Sequence, residues 1–429
     1  MAKGHRKFLD ILGRRPLILD GATGTELQKR GMPAGVCPEM WCIDNPGVIA
    51  GVHGDYARAG SDVVYTCTFG ANRVKLGQYG QADARSVNRQ LARIAKEAVK
   101  DRALVAGDIG PTGRFIRPFG ELDFEEAVSI FKEQVHGLLA GGVDGFVIET
   151  MMDIQEARAA LIAVKETCSL FTMVTMTFER DGRTLNGTDP LTALVTLQAL
   201  GADAVGCNCS TGPDDMARFI SAMRPCAKVP LIAKPNAGLP RSSGGATVYD
   251  MDAAEFARPA GALVGAGAAI LGGCCGTTPG HLAALRKTVS RRKAPAPLRK
   301  SLAALSSARR TLVFEPGRPL VLIGEGINPT GRKALQEELR EGKTALARQM
   351  ARDQETAGAD LLDVNVGVPG IDQEKTMQEV VLTLAAATPL PLVIDSAKAE
   401  PIERALRVYP GRALINLSLI HISEPTRPY

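Results

Sequence analysis

Eight times between residues 16 and about 290, a short apolar run ends in Gly, Asn, Thr or an acid and gives way to a helical stretch. The runs are PLILDGAT (16–23), DVVYTCTF (62–69), ALVAGDIGP (103–111), GFVIET (145–150), FTMVTMTF (171–178), AVGCNC (204–209), VPLIAKPN (229–236) and AILGGCC (269–275). Amphipathic segments such as ARSVNRQLARIAKEAVK and FEEAVSIFKEQVHGLLA lie between them. Strands that alternate with helices need crossover connections, which make a parallel sheet and an α/β fold. Eight such units in about 280 residues fit a (β/α)8 barrel better than an open sheet. A barrel of this kind places its chemistry at the C-terminal ends of its strands. Asp20, Thr66, Asp108, Glu149, Asn208, Cys209, Asn236, Cys274 and Cys275 fall at those ends.

The rhythm stops after about residue 290, so residues 1–290 read as the first domain. Residues 291–318 are basic and rich in Pro, Ala and Ser, the composition of a linker. A second α/β series begins at 319 with PLVLIGEGIN, ADLLDVNVG, LPLVIDSA and RALINLS. About 110 residues are too few to close another eight-stranded barrel, so residues 319–418 are expected to form a partial second (β/α)8 barrel that is cut short. Residues 419–429 lack the strand-then-helix rhythm, and the tail reads as foreign, resembling translated adapter sequence.

Composition narrows the function classes. With 45% hydrophobic and 23% charged residues, a chain of 429 is globular and long enough for two domains or more. The net charge of +5 is scattered, and its one dense stretch, Arg286 to Arg310, falls in a helix end and the linker. That is no nucleic-acid footprint. No run reaches about 18 uninterrupted apolar residues, and the N-terminus carries no signal-peptide pattern. A soluble protein without a membrane span is expected. Nine cysteines in a large chain of this kind read as thiols, metal ligands or core residues, which favours a reducing cytoplasm.

Two sulfur motifs stand at strand ends, GCNCSTGP (206–213) and GGCCGTTPGH (272–281). Adjacent cysteines rarely close on each other, but both can reach one metal when a third ligand arrives from another strand. Three cysteinates leave one position of a tetrahedral zinc open, the layout of a catalytic site. Zinc lowers the pKa of a bound thiol, so a substrate thiol there becomes thiolate. The three-cysteinate site carries −1, and a bound thiolate makes it −2, which keeps the sulfur nucleophilic. The pair Cys274–Cys275 supplies two ligands. Alternation puts Cys207 and Cys209 on the same face, so the residues alone leave the third ligand open between them. Cys37, Cys42, Cys67, Cys168 and Cys226 have no partners at ligand spacing and read as core or loop residues. His53, His136 and His281 read as helix or cap residues.

DGATGTELQKRG (20–31), VVYTCTFGANR (63–73), GDIGPTG (107–113) and FVIETMMD (146–153), with the two sulfur motifs, resemble the homocysteine S-methyltransferase family over about residues 10–290. The family's ligand is the Cys after Asn, so the resemblance implies Cys209 rather than Cys207 beside Cys274 and Cys275. It implies homocysteine as the thiol. Asp20 and Glu149 would take its ammonium group, with Thr66 and the turn carrying Gly21 and Thr25 beside its carboxylate.

In the second series, IGEGINPTGRKAL (323–335), LLDVNVG (361–367), LVIDSA (392–397) and ALIN (413–416) each bring an acid or amide to a strand end. Paired Asp and Asn side chains can match the alternating donors and acceptors of a pterin edge. GEGIN is no phosphate loop, because no Gly-Lys-Ser/Thr follows. The set resembles the pterin-binding domain of the cobalamin-dependent methionine synthase family. That resemblance implies folate contacts at Glu325, Asn328, Asp363, Asp395 and Asn416, with Asn365 beside them. It also implies 5-methyltetrahydrofolate as methyl source and a cobalamin held by modules that in the family follow these two. The expected reaction is methylation of a zinc-bound homocysteine thiolate by methylcobalamin. Two enzyme alternatives are a cobalamin-independent methyltransferase using S-methylmethionine or a betaine, and a fusion to a flavin-dependent folate reductase. A third, of another class, is a non-catalytic zinc scaffold, which a closed fourth ligand would mark.

Overall fold

The computed structural model describes residues 3–81, 83–243, 246–298, 300–317 and 319–417. The chain divides into two compact units, Met1–Ser301 and Leu302–Tyr429. The tail expected to be foreign, 419–429, lies outside the described residues.

The first unit holds all eight expected strands. They are β1 (Leu17–Ile18), β2 (Val63–Tyr65), β3 (Leu104–Ile109), β4 (Gly145–Met151), β5 (Phe171–Met176), β6 (Ala204–Asn208), β7 (Leu231–Lys234) and β8 (Ala268–Leu271). Every pairing is parallel, in the order β1-β8-β7-β6-β5-β4-β3-β2. The barrel is nearly closed, and its seam runs between β1 and β2. There Asp62 stands in for a ladder: its N–H donates to Ile18 O at 2.7 Å and its Oδ2 accepts from Ile18 N at 2.8 Å. Arg15 and Arg286 hold that carboxylate from either side, at 2.6 and 3.0 Å.

The barrel interior is filled with side chains. Leu17, Leu19, Val63, Tyr65, Ala106, Val147, Phe171, Met173, Ala204, Ile232 and Ile270 form one buried cluster. Phe8, on the helix Lys3–Leu12, joins the cluster and stacks on Phe171 at 4.6 Å. That helix stops the N-terminal end of the barrel. Open chemistry is left to the C-terminal end, where such barrels keep it. An antiparallel pair, Arg241–Ser243 with Ala246–Val248, stands in the β7–β8 connection.

The second unit begins earlier than the expected linker allows. Within 291–318, β9 (Ala303–Ser306) and β10 (Thr311–Phe314) form an antiparallel hairpin. Leu305 and Leu312 pack with Leu361 and Val393. The basic residues that made the stretch look like a linker include Arg309. Its guanidinium donates to the carbonyls of Ala385, Ala386 and Thr388, at the end of the helix Gln373–Ala387. The charge caps a helix terminus rather than a solvated tether.

Four strands follow: β11 (Ile323–Ile327), β12 (Leu361–Asn365), β13 (Leu392–Ser396) and β14 (Leu414–Leu417). They pair in parallel in chain order, with helices between them. The inner strands β12 and β13 are buried, whereas all four residues of β14 are exposed. A four-stranded parallel α/β sheet is what this unit shows. Among the described residues, no helix is long and apolar enough to cross a membrane.

Candidate active site

Sulfur from two barrel loops converges. The Sγ atoms of Cys209, Cys274 and Cys275 all lie within 4.8 Å of one another, and those of Cys209 and Cys275 are 3.9 Å apart. Cys207 is not among them: it is buried in β6, its Sγ 3.9 Å from Ile232 O. The strand-alternation argument fails here because Cys209 lies past the end of β6. Cys209 and Ser210 take left-handed backbone conformations, φ 63° and 60°, so the strand's two-residue period no longer steers the side chain.

The loops are locked by backbone bonds. Cys209 N donates to Lys234 O at 3.2 Å, Cys274 N to Pro235 O at 2.7 Å, and Ala237 N to Cys275 O at 2.9 Å. The Asn236 side chain accepts from Cys275 N at 3.1 Å. Asn208 reaches across to β4. It accepts from Thr150 N at 2.9 Å, donates to Thr150 Oγ1 at 2.8 Å and points an N–H at Cys274 Sγ, 3.7 Å away. Thr277 Oγ1 ties the GGCCG turn to the N-terminal DGATGT segment, donating to Cys274 O and accepting from Ala22 N. A Cβ on Gly21 or Gly273 would sit 2.7 or 2.4 Å from that oxygen. Both motifs need glycine there for close approach.

The three sulfurs share protons. Cys275 is pushed down to about 3 by hydrogen bonds from Cys209, then from Cys274, with Tyr249 as a further donor. Cys209 is pushed up through its bonds with Cys274 and Cys275. Hydrogen bonds of this kind favour the thiolate at Cys275, the form in which sulfur binds a cation. Among the described residues no His, Asp or Glu completes a four-membered set with these cysteines. All-thiol donors suit zinc, and three of them leave a position for a substrate.

Beside the sulfurs lies a buried cluster of charged side chains. Asp20 Oδ2 accepts from Tyr65 N at 2.7 Å. Lys234 Nζ stands 3.6 Å from Asp20 Oδ1 and 3.5 Å from Glu149 Oε2, and 4.2 Å above the Tyr65 ring. Burial pushes the Asp20 carboxyl up to about 6, against the pull of Lys234 and the Tyr65 N–H. Burial raises Glu149 as well, again opposed by Lys234. Asp108 is raised well above the usual range, by burial and then by Glu149.

The structure thus brings Asp20 and Glu149 together. Thr66 enters only through Asp108: its Oγ1 accepts from Asp108 N at 2.9 Å and pairs with Thr68 Oγ1 at 2.6 Å. Thr25 lies on the helix Thr23–Lys29, its buried Oγ1 without a hydrogen-bond partner. Gly21 packs on Thr277 and Tyr56. Sequence reasoning missed Lys234. Its signal was a lysine at the last position of the apolar run LIAK, where only a function or a buried counter-charge explains it. Cys42 and Cys67, read as unpartnered, meet with sulfurs 3.6 Å apart. His53 and His136 lie within helices, and His281 forms a capping box with Thr278.

In the second unit the expected folate residues gather at the strand ends. Asn365 Nδ2 donates to Asp395 Oδ2 at 2.9 Å, and Asn416 Nδ2 to Asp363 Oδ2 at 3.2 Å. Asp363 is buried and its carboxyl raised by that burial, while Glu325 acts on it through space. Asn328 is occupied locally, accepting from Thr330 N at 3.0 Å.

A sequence profile described as Homocysteine S-methyltransferase matches residues 17–289, and one described as Pterin binding enzyme matches 324–420. The chain therefore belongs to the homocysteine S-methyltransferase family. Its relatives include the methionine synthases of Mycobacterium tuberculosis (strain ATCC 25618 / H37Rv) and Mycobacterium leprae (strain TN), each 30% identical over 95% of this chain. The chain spans 36% of the length of each. Among solved structures, the metallated form of the homocysteine methyltransferase MmuM from Escherichia coli aligns with a TM-score of 0.57 at 24% identity. It covers 66% of this chain and 99% of that one. The oxidized form gives 0.56 at 25% identity, over 67% of this chain and 99% of that one.

Proposed function

We propose that the first unit methylates homocysteine at a zinc ion held by Cys209, Cys274 and Cys275, from methylcobalamin, with 5-methyltetrahydrofolate at the second unit as methyl source. The observation that carries this reading is the three-sulfur cluster beside a buried acidic pair. Zinc, when bound, would lower the pKa of the substrate thiol and hold it as a nucleophilic thiolate. The protein's own residues do the rest. Asp20 and Glu149 hold the substrate ammonium group. Asn208 and Asn236 fix the two sulfur loops, through Cys274 Sγ and Cys275 N. Orientation of thiolate and methyl group along one line carries most of the rate.

The four-stranded sheet reads as a pterin-binding unit. The Asn365–Asp395 and Asn416–Asp363 pairs would face the pterin edge, with Glu325 and Asn328 at its rim. A cobalamin-binding module is the partner this division of labour requires. A reducing cytoplasm suits the nine free thiols. S-methylmethionine or a betaine would give the pterin-binding region nothing to do. A zinc scaffold would need a fourth ligand from the protein.

The donor decides the test. Zinc-loaded chain is incubated with homocysteine and either methylcobalamin or S-methylmethionine, and methionine is measured. Methionine from methylcobalamin is the expected result. Methionine from S-methylmethionine alone would favour the cobalamin-independent reaction.

A further inference from the structure

Lys234 is 3% exposed, and a buried ammonium group is costly unless its charge is met. It is met loosely. Its separations of 3.6 Å from Asp20 Oδ1 and 3.5 Å from Glu149 Oε2 exceed the roughly 2.7–2.9 Å of a close charge-assisted bond. Asp20 Oδ1 is buried without a hydrogen-bond partner. The third neighbour is the face of the Tyr65 ring, which attracts a cation without taking a hydrogen bond. An ammonium group carries three donors. Lys234 therefore stands between the acids with bonding capacity to spare.

We propose that Lys234 is a specificity-determining residue that binds the α-carboxylate of the thiol amino acid, closing an alternating ring of charge with Asp20 and Glu149 around the substrate's zwitterionic head. The inference rests on the reading of this pocket as the homocysteine site.

Charge placement supports it. The substrate ammonium group can face the two acids, and the substrate carboxylate needs a cation within reach. Lys234 is the cation that acts on Asp20, Glu149 and Asp108 alike. The amino and carboxylate groups of an α-amino acid share one carbon. A cation already beside the acids can touch the carboxylate while the acids keep the ammonium group. Placement fits as well. Lys234 O accepts from Cys209 N, and the next carbonyl, Pro235 O, accepts from Cys274 N. The lysine stem thus starts on the short stretch that anchors both sulfur loops, and a short thiol amino acid can span from one to the other.

The test is calorimetric titration of the zinc-loaded full chain with three thiols: homocysteine, 3-aminopropanethiol, which lacks the carboxylate, and 4-sulfanylbutanoate, which lacks the amine. Wild type is expected to prefer homocysteine over 3-aminopropanethiol by about tenfold or more. In Lys234→Met that preference collapses to a few-fold, while the preference over 4-sulfanylbutanoate persists. Lys234→Arg restores the carboxylate preference. Zinc content reports that each variant's metal site has formed. A Lys234→Met chain that keeps the wild-type preference over 3-aminopropanethiol overturns the inference alone. So does a wild type that binds 3-aminopropanethiol as tightly as homocysteine, and this arm needs no variant to fold. A wild type that binds none of the three overturns the reading of the pocket, and this inference with it.

Discussion

Asp20→Asn should make the metal-free protein more stable at pH 8 while removing much of its affinity for homocysteine. Asp20 is 1% exposed, and burial outweighs Lys234 and the Tyr65 N–H in setting its acidity. The gap between its ordinary value of 3.8 and about 6, at about 1.4 kcal/mol per pH unit, amounts to about 3 kcal/mol. The sign follows from the direction. An acid raised in the fold carries no penalty below its unfolded value. The penalty grows as pH climbs from about 4 to 6 and is complete above about 6. The neutral amide keeps the shape without the buried charge. The gain is therefore about 3 kcal/mol at pH 8 and only about 1 kcal/mol at pH 4.5. Losing a charged partner for the substrate ammonium group costs about tenfold or more in affinity. Urea unfolding of both chains at the two pH values measures the first effect, and titration with homocysteine the second. A variant less stable than wild type at pH 8, or an equal gain at both pH values, would show that the Asp20 charge is not penalised by burial.

Three further outcomes are expected. Asp62→Ala orphans the Ile18 N–H and two guanidinium groups at the barrel seam, at about 3–5 kcal/mol; calorimetry should show a melting temperature roughly 10 °C lower. Asn208→Ala removes both bonds to Thr150 and the N–H directed at Cys274, costing about 2 kcal/mol in urea unfolding. The visible spectrum of its cobalt-loaded form should also shift, since Cys274 loses its support. Asp395→Ala breaks the Asn365 pair and should weaken 5-methyltetrahydrofolate binding about tenfold in calorimetric titration, with zinc content unchanged.

The barrel was legible because its signal is repetitive: a two-residue period inside strands and an amphipathic period between them survive local noise. All eight strand positions overlap the sequence reading. The hairpin at 303–314 was hidden because its strands are four residues each, and its basic turn imitates a tether. The seam at Asp62 was hidden because an acid substituting for a ladder has no local pattern. At the site, Cys274 and Cys275 stood out by adjacency. Alternation could not choose Cys209, because the left-handed residues after β6 re-aim its side chain. Asp20 and Glu149 were legible as strand-end acids, and the fold sets both beside Lys234. Lys234 was passed over because a single lysine in LIAKPN reads as a strand terminus until the barrel closes and places it between them.

On the proposed function, Cys209, Cys274 and Cys275 together hold the metal that activates the thiol. Zinc content and homocysteine affinity of the full chain, after dialysis against a mild chelator, test it most directly in wild type, Cys207→Ala and Cys209→Ala. Wild type and Cys207→Ala are expected to retain one zinc per chain and bind homocysteine alike, while Cys209→Ala loses both. A Cys209→Ala chain with stoichiometric zinc and wild-type affinity would show that Cys209 is not a ligand.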